Sequence, residues 1–170
     1  MKKILILLAI GISIFIYKED NTIIIPDSSI RFRIISNSNS IEDQKIKMGL
    51  EKHLERYLYN IVKESKSANG AYSNIKAKEE NINKEIISYF NKNNMKVDYK
   101  LSIGNNVFPK KKYKGVEYKS GSYQSIVVKL GKAQGINWWC VIYPPLCLID
   151  DKDNTEYTTL AQEIINKYNM

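Results

Sequence analysis

Between Ile46 and Tyr89 apolar residues recur at every third or fourth position, and from Met95 onward they recur at every second. A single change of period of this kind confines the chain to a helical half followed by a stranded half, because a 3.6-residue pattern and a 2-residue pattern bury different faces. Ahead of it, Ile30, Phe32 and Ile34 alternate with Arg31 and Arg33, which predicts a half-buried strand. Ser36-Asn37-Ser38-Asn39-Ser40 ends that strand in turn-forming residues, and Ser40 stands three residues before Asp43 as a helix cap. Ile46, Leu50, Leu54, Tyr57 or Leu58, and Ile61 make the apolar stripe of the first helix, which Ser67-Ala68-Asn69-Gly70 stops. Asn74 is the expected cap of a second helix carrying Ile75, Ile82, Ile86 and Tyr89. Met95 to Ile103 reads as a strand, Gly104-Asn105-Asn106 as a turn, and Val107–Tyr113, Val116–Tyr118 and Tyr123–Leu130 as further strands of an antiparallel meander. Leu160, Ile164, Ile165 and Tyr168 predict a closing helix. The expectation is one α+β domain over residues 28–170, a mainly antiparallel sheet packed against two or three helices.

In front of this domain, Lys2 and Lys3 precede an apolar run from Ile4 to Tyr17, closed by Lys18-Glu19-Asp20. Fourteen residues span about 21 Å as a helix, short of a hydrocarbon core of about 30 Å. Residues 1–20 are therefore read as an export signal, with residues 21–170 outside the cytoplasm. No small-x-small pair follows the run, so a cleaved signal and a retained anchor at residues 4–17 both remain open.

Ten lysines lie between Lys92 and Lys132 against Asp98 and Glu117, a net of +8 that equals the charge of the whole chain. Tyr113, Tyr118 and Tyr123 interleave with these lysines, a mixture that can stack bases, but an exported chain does not meet nucleic acid. An anionic membrane surface is the partner that suits the compartment, and a solvated sheet face is the plainer alternative. Catalytic patterns are thin. His53 is the sole histidine and lies mid-helix, which leaves no base for a Ser or Cys nucleophile. One His and two Cys make no zinc pattern, and Asp150, Asp151 and Asp153 lack the Gly and Glu of a calcium loop. No metal or cofactor is implied.

Cys140 and Cys147 flank Pro144-Pro145 and are read either as a disulfide, permitted outside the cytosol, or as two buried thiols. Adjacent Trp138 and Trp139 in a strand must point to opposite faces. One is expected in the core and the other outward as a partner anchor, unless the closing helix covers it.

The stretch Asn137-Trp138-Trp139-Cys140-Val141-Ile142-Tyr143-Pro144-Pro145-Leu146-Cys147 resembles the signature of the stage II sporulation protein R family. Two further stretches resemble that family, in the same order. One is Arg31 to Ser40 followed by Glu42-Asp43-Gln44 and Lys47; the other is Phe108-Pro109 with Tyr113, Gly115, Gly121 and Tyr123. Arg33, Ser36 and Gly49 depart from its usual residues. The resemblance implies a signalling protein without catalytic residues. Such a protein is exported from the forespore into the intermembrane space, where it activates a membrane-embedded aspartic protease of the mother cell that processes pro-sigma-E. Trp138, Trp139, Tyr143, Arg31, Arg33 and Asn37 are the expected partner-binding residues. The rival class is an exported wall-binding module or wall hydrolase, for which Asp98, Glu117, Asp150 and Asp151 would supply acid and base.

Overall fold

The computed structural model describes residues 22–150 and 152–168, so the expected export segment and Asp151 lie outside the described residues. Among the described residues, two sheets and four α-helices are formed. The larger sheet holds β2 (Ile30–Ile35), β3 (Tyr99–Phe108), β6 (Gly121–Leu130) and β7 (Asn137–Tyr143) in the order β3-β6-β2-β7. The smaller holds β1 (Ile23–Ile24), β4 (Lys111–Tyr113) and β5 (Val116–Tyr118) in the order β1-β5-β4. The helices are α1 (Ile41–Val62), α2 (Ala68–Ala77), α3 (Glu79–Lys92) and α4 (Asn154–Lys167), with a 3-10 helix at Leu146–Ile149 before α4.

The expected mainly antiparallel meander is corrected to two mixed sheets, since β2 runs parallel to β6 and β1 parallel to β5. The reason lies in the connection: the chain leaves β2, crosses through α1, α2 and α3 to β3 at the far edge, and β6 then returns into the gap between β3 and β2. Parallel neighbours need such a crossover. β3 and β6 pair over ten residues, and this ladder takes in Gly104-Asn105-Asn106, expected as a turn. There Asn106 Nδ2 donates to Ser125 Oγ across the pair at 3.0 Å, so a turn-forming side chain serves the ladder instead. Pro109, with no N–H to give, ends the strand that was expected to run on to Tyr113. The strand expected from Met95 begins at Tyr99.

Ser40 caps α1, its Oγ accepting from the Asp43 amide at 3.1 Å. Leu50, Leu54, Leu58 and Ile61 are buried along the expected stripe. The second expected helix is two helices meeting at Lys78. Ser67 is the cap of α2, accepting from the Gly70 amide, so the segment expected to stop the first helix instead starts the next, α1 having ended at Val62. Gly49 in α1 makes room for Tyr89 of α3, whose hydroxyl would sit 2.1 Å from a Cβ at that position.

Both faces of the larger sheet are covered. Ile30, Phe32 and Ile34 look toward α1, α2 and α3 and join Leu54, Leu58, Ile75 and Ile86 in one core. On the opposite face a second core of Ile25, Val116, Tyr118, Val141, Leu146 and Ile149 is closed by Tyr157, Ala161 and Ile165 of α4. Arg31 and Arg33 point to this second face. The strand expected to be half-buried is therefore central, and Arg31 has no exposed surface.

Candidate interaction site

β7 is the outermost strand beside β2, in antiparallel register from Ile35 opposite Asn137 to Arg31 opposite Val141. Its two tryptophans diverge as the alternation requires, yet neither is wholly inside or wholly out. Trp138 packs edge-on against Phe32, with centroids 5.5 Å apart, at the rim of the helical core. Trp139 packs edge-on against Phe108 and Tyr118, at 5.6 and 5.1 Å, at the rim of the second core. The expected division into one core and one outward indole is thereby corrected: a sheet covered on both faces gives each ring a wall and leaves each partly exposed.

Arg31 sits behind Trp139. Its guanidinium carbon lies 3.4 Å from the ring centre of Tyr123 and 5.3 Å from those of Phe108 and Trp139. Nη2 donates to the Lys119 carbonyl at 3.1 Å, while Nε and Nη1 have no partner among the described residues. Burial holds this guanidinium below its usual pKa, partly offset by the Tyr123 and Tyr118 phenols and Asp27. Arg33 stacks 4.5 Å from Phe108 and is also held down by burial. Arg31, Phe108, Tyr123 and Trp139 come from the three separate stretches that carry the family resemblance, and the fold brings them around one cation.

Tyr143 is buried, donating to the Ser65 carbonyl at 3.2 Å with Tyr168 edge-on to its ring at 5.2 Å. Arg31 and Tyr143 thus present no surface to a partner. Their expected role as partner contacts is corrected to one of building the support.

Asn37 is a structural knot. Its Nδ2 donates to Asp43 at 2.9 Å, its Oδ1 accepts from the Lys132 amide, and its carbonyl accepts from Gln134. Hydrogen bonds from Ser38 and Asn37 hold the Asp43 carboxyl below its usual pKa. Gln44 donates to Ser36 Oγ and the Ser38 carbonyl, and buried Lys47 donates to Gln44 Oε1 and the Ile136 carbonyl. These bonds clamp the Ser36–Ser40 turn to the loop that feeds β7. Sequence reasoning missed Lys47 as a buried group; its i, i+3 spacing from Gln44, beside an apolar stripe, was the available signal.

Cys140 and Cys147 are joined, Cα atoms 5.4 Å apart, tying β7 to the 3-10 helix. The apolar run after Pro144-Pro145, Leu146–Ile149, forms that 3-10 helix. Alongside the Asn137–Cys140 half of β7 lies a cleft of about 130 Å³ walled by Lys111, Tyr113, Tyr118, Trp139, Asp150 and Tyr157. Lys111 Nζ stands 5.0 Å from the Trp139 ring centre and 4.7 Å from that of Tyr113. Lys114 Nζ donates to the carbonyls of Asp150 and Lys152, and Tyr118 and Tyr157 share a hydroxyl hydrogen bond of 2.6 Å. Burial pushes both phenols up, Tyr157 to about 12 and Tyr118 further, so both are neutral hydrogen-bonding groups at physiological pH. Of the carboxylates of the rival reading that are described, Asp98 is exposed ahead of β3, and Glu117 in β5 is bridged to Lys110 at 3.1 Å. His53 bridges to Glu85 at 2.9 Å, joining α1 to α3. Asp153 caps α4 through the Glu156 amide.

A family model described as stage II sporulation protein R matches residues 26–153. The chain belongs to that family. Stage II sporulation protein R of Bacillus subtilis (strain 168) is 33% identical over 132 residues, a match covering 78% of this chain and 59% of the relative. The chain thus spans about three fifths of that relative's length. No solved structure matches it. The match makes this a protein of sporulation, and it takes in the larger sheet, α1 to α3 and every wall of the β7 cleft but Tyr157, ending where α4 begins.

Proposed function

We propose that this protein is an exported sporulation signal that activates the membrane-embedded aspartic protease processing pro-sigma-E, passing information from forespore to mother cell. Family membership supplies the process. The observation that carries the signalling reading is that the Trp138-Trp139-Cys140 stretch forms the outer strand of a doubly covered sheet. Its two half-exposed indoles rest on buried aromatics and a disulfide. Large aromatic rings held rigidly at a surface are what protein contacts are anchored on. Activation then requires that the protein bind one state of the protease better than the other, since a ligand shifts an equilibrium only by its differential affinity. The lysines of β4 and its flanks, Lys110 to Lys112, would add attraction to the anionic membrane in which the protease lies.

The test is reconstitution. Protease and pro-sigma-E are produced in cells lacking other sporulation genes, with this protein exported or absent. Processing that depends on the exported chain is the expected result. Release of soluble fragments from purified sacculi by the purified domain, with no processing in cells, would instead support the wall-hydrolase reading.

A further inference from the structure

The outer side of β7 pairs with no strand among the described residues. In any strand alternate residues aim their N–H and C=O to opposite sides, so an outermost strand offers a row of unused backbone groups. Stable proteins blunt such an edge with charge, proline or a bulge. Asn137 to Tyr143 contains neither a charge nor a proline, and its one register shift lies opposite Ile30/Arg31, at the buried end. From Cys140, where the Asn137–Cys140 half stops, the bond to Cys147 holds the 3-10 helix against the buried end of the strand. Asn137 to Cys140 remains, a length of about 13 Å. A strand edge that is left unprotected and lined by aromatics is suited to accepting another strand.

The cleft lies beside this same half-strand, where an added strand would place one of its side chains. Lys111 stands over the cleft wall, on a hairpin that also carries Lys110, Lys112 and Lys114 within the segment holding all the net charge. Asp150 is the carboxylate in the cleft wall and faces Lys111 across it. A second copy of this chain would bring one lysine-rich segment against another, which like-charge repulsion opposes. The complementary occupant is acidic.

We propose that the Asn137–Cys140 edge of β7 accepts an extended acidic segment of the protease as an added strand, with one of its side chains held in the cleft by Lys111. This rests on the proposed function in taking the protease as the partner.

Hydrogen–deuterium exchange, read by mass spectrometry on the full chain with and without the protease in detergent micelles, tests it. Protection of the 137–143 amides by the protease is expected. Lys111→Glu should weaken binding at least about tenfold in a chain that still unfolds in one cooperative transition. Binding without protection of β7, or binding indifferent to Lys111→Glu, overturns the inference and leaves the function standing. Protection that grows with protein concentration without the protease, with a dimer in sedimentation, assigns the edge to a second copy and also overturns it. Failure of wild-type chain to bind or to support processing removes the function, and the inference with it.

Discussion

Replacing Glu51 by Gln should stabilise the protein at alkaline pH and do little at acid pH. Glu51 lies on α1, four residues after buried Lys47 and four before Glu55, and it senses the charge of Asp150. Its carboxyl is raised from 4.5 to about 7, first by burial and then by the negative charges of Glu55 and Asp150, against weaker attraction from Lys52 and Lys47. A carboxyl whose pKa is higher folded than unfolded holds its proton better in the native state, so its contribution is intact below about pH 4.5 and is lost as pH rises through 7. A displacement of this size corresponds to about 3.4 kcal/mol in full. Because the side chain is partly exposed, solvent screening reduces that to about 1 to 2 kcal/mol. Glu51→Gln keeps the shape and removes the titration. In urea melts at pH 8 it should gain about 1 to 2 kcal/mol, or about 2 to 8 °C in melting temperature, with almost no gain at pH 4. An equal gain at both pH values, or a loss at pH 8, would refute the electrostatic reasoning.

The turn clamp gives a second expectation. At Gly135 a Cβ would lie 2.2 Å from the Ser38 carbonyl oxygen, so Gly135→Ala should lower stability by about 2 kcal/mol or more by urea melts, whereas Gly70→Ala, 3.3 Å from Ser67 Oγ, should be nearly silent. Trp138→Ala and Trp139→Ala should each destabilise by about 2 to 3 kcal/mol, less than full burial would give. A thermal midpoint unmoved by either would contradict the packing on Phe32 or Tyr118. Alkylation without reduction should find no free thiol, and Cys147→Ser should lower stability by about 2 kcal/mol, the contribution of so short a loop. Neutralising Lys110, Lys111 and Lys112 should weaken binding to anionic vesicles and flatten its salt dependence; unchanged binding would leave these lysines without a membrane role.

What could be read ahead of the structure was local. The Ser40 cap and the Leu50-Leu54-Leu58 stripe are encoded within one or two turns, and the structure bears them out. The β3–β6 ladder overrode the local turn preference of Gly104-Asn105-Asn106, because ten paired residues outweigh three turn-formers. The parallel contact between β2 and β6 joins residues more than ninety apart, and no short-range pattern carries that pairing. Arg31 and Arg33 looked like the wet side of a strand, since nothing near them in sequence announces a second sheet and α4 above. Of the site, the Trp138-Trp139 alternation was legible from period alone. The cleft was not, for its walls come from β4, β5, β7, Asp150 just after the 3-10 helix, and α4.

The buried guanidinium of Arg31 links these pieces, and stability is not what explains it. Withdrawing a cation from water is costly, and apolar residues of equal volume often serve a core as well or better. Here a stack of three rings and one carbonyl stand in for a carboxylate directly bound to it. What the arrangement achieves is positional. Arg31 is on the central strand, Tyr123 and Phe108 on the two strands beyond it, Trp139 on the outer strand, and Lys119 in the link between β5 and β6. One side chain therefore fixes the depth of Trp139 in the cleft wall and the approach of the smaller sheet to the larger. An apolar replacement could fill the volume, but it has no donor for the Lys119 carbonyl and no charge to hold three rings about one point, so the geometry of the outer strand would be the first property to loosen.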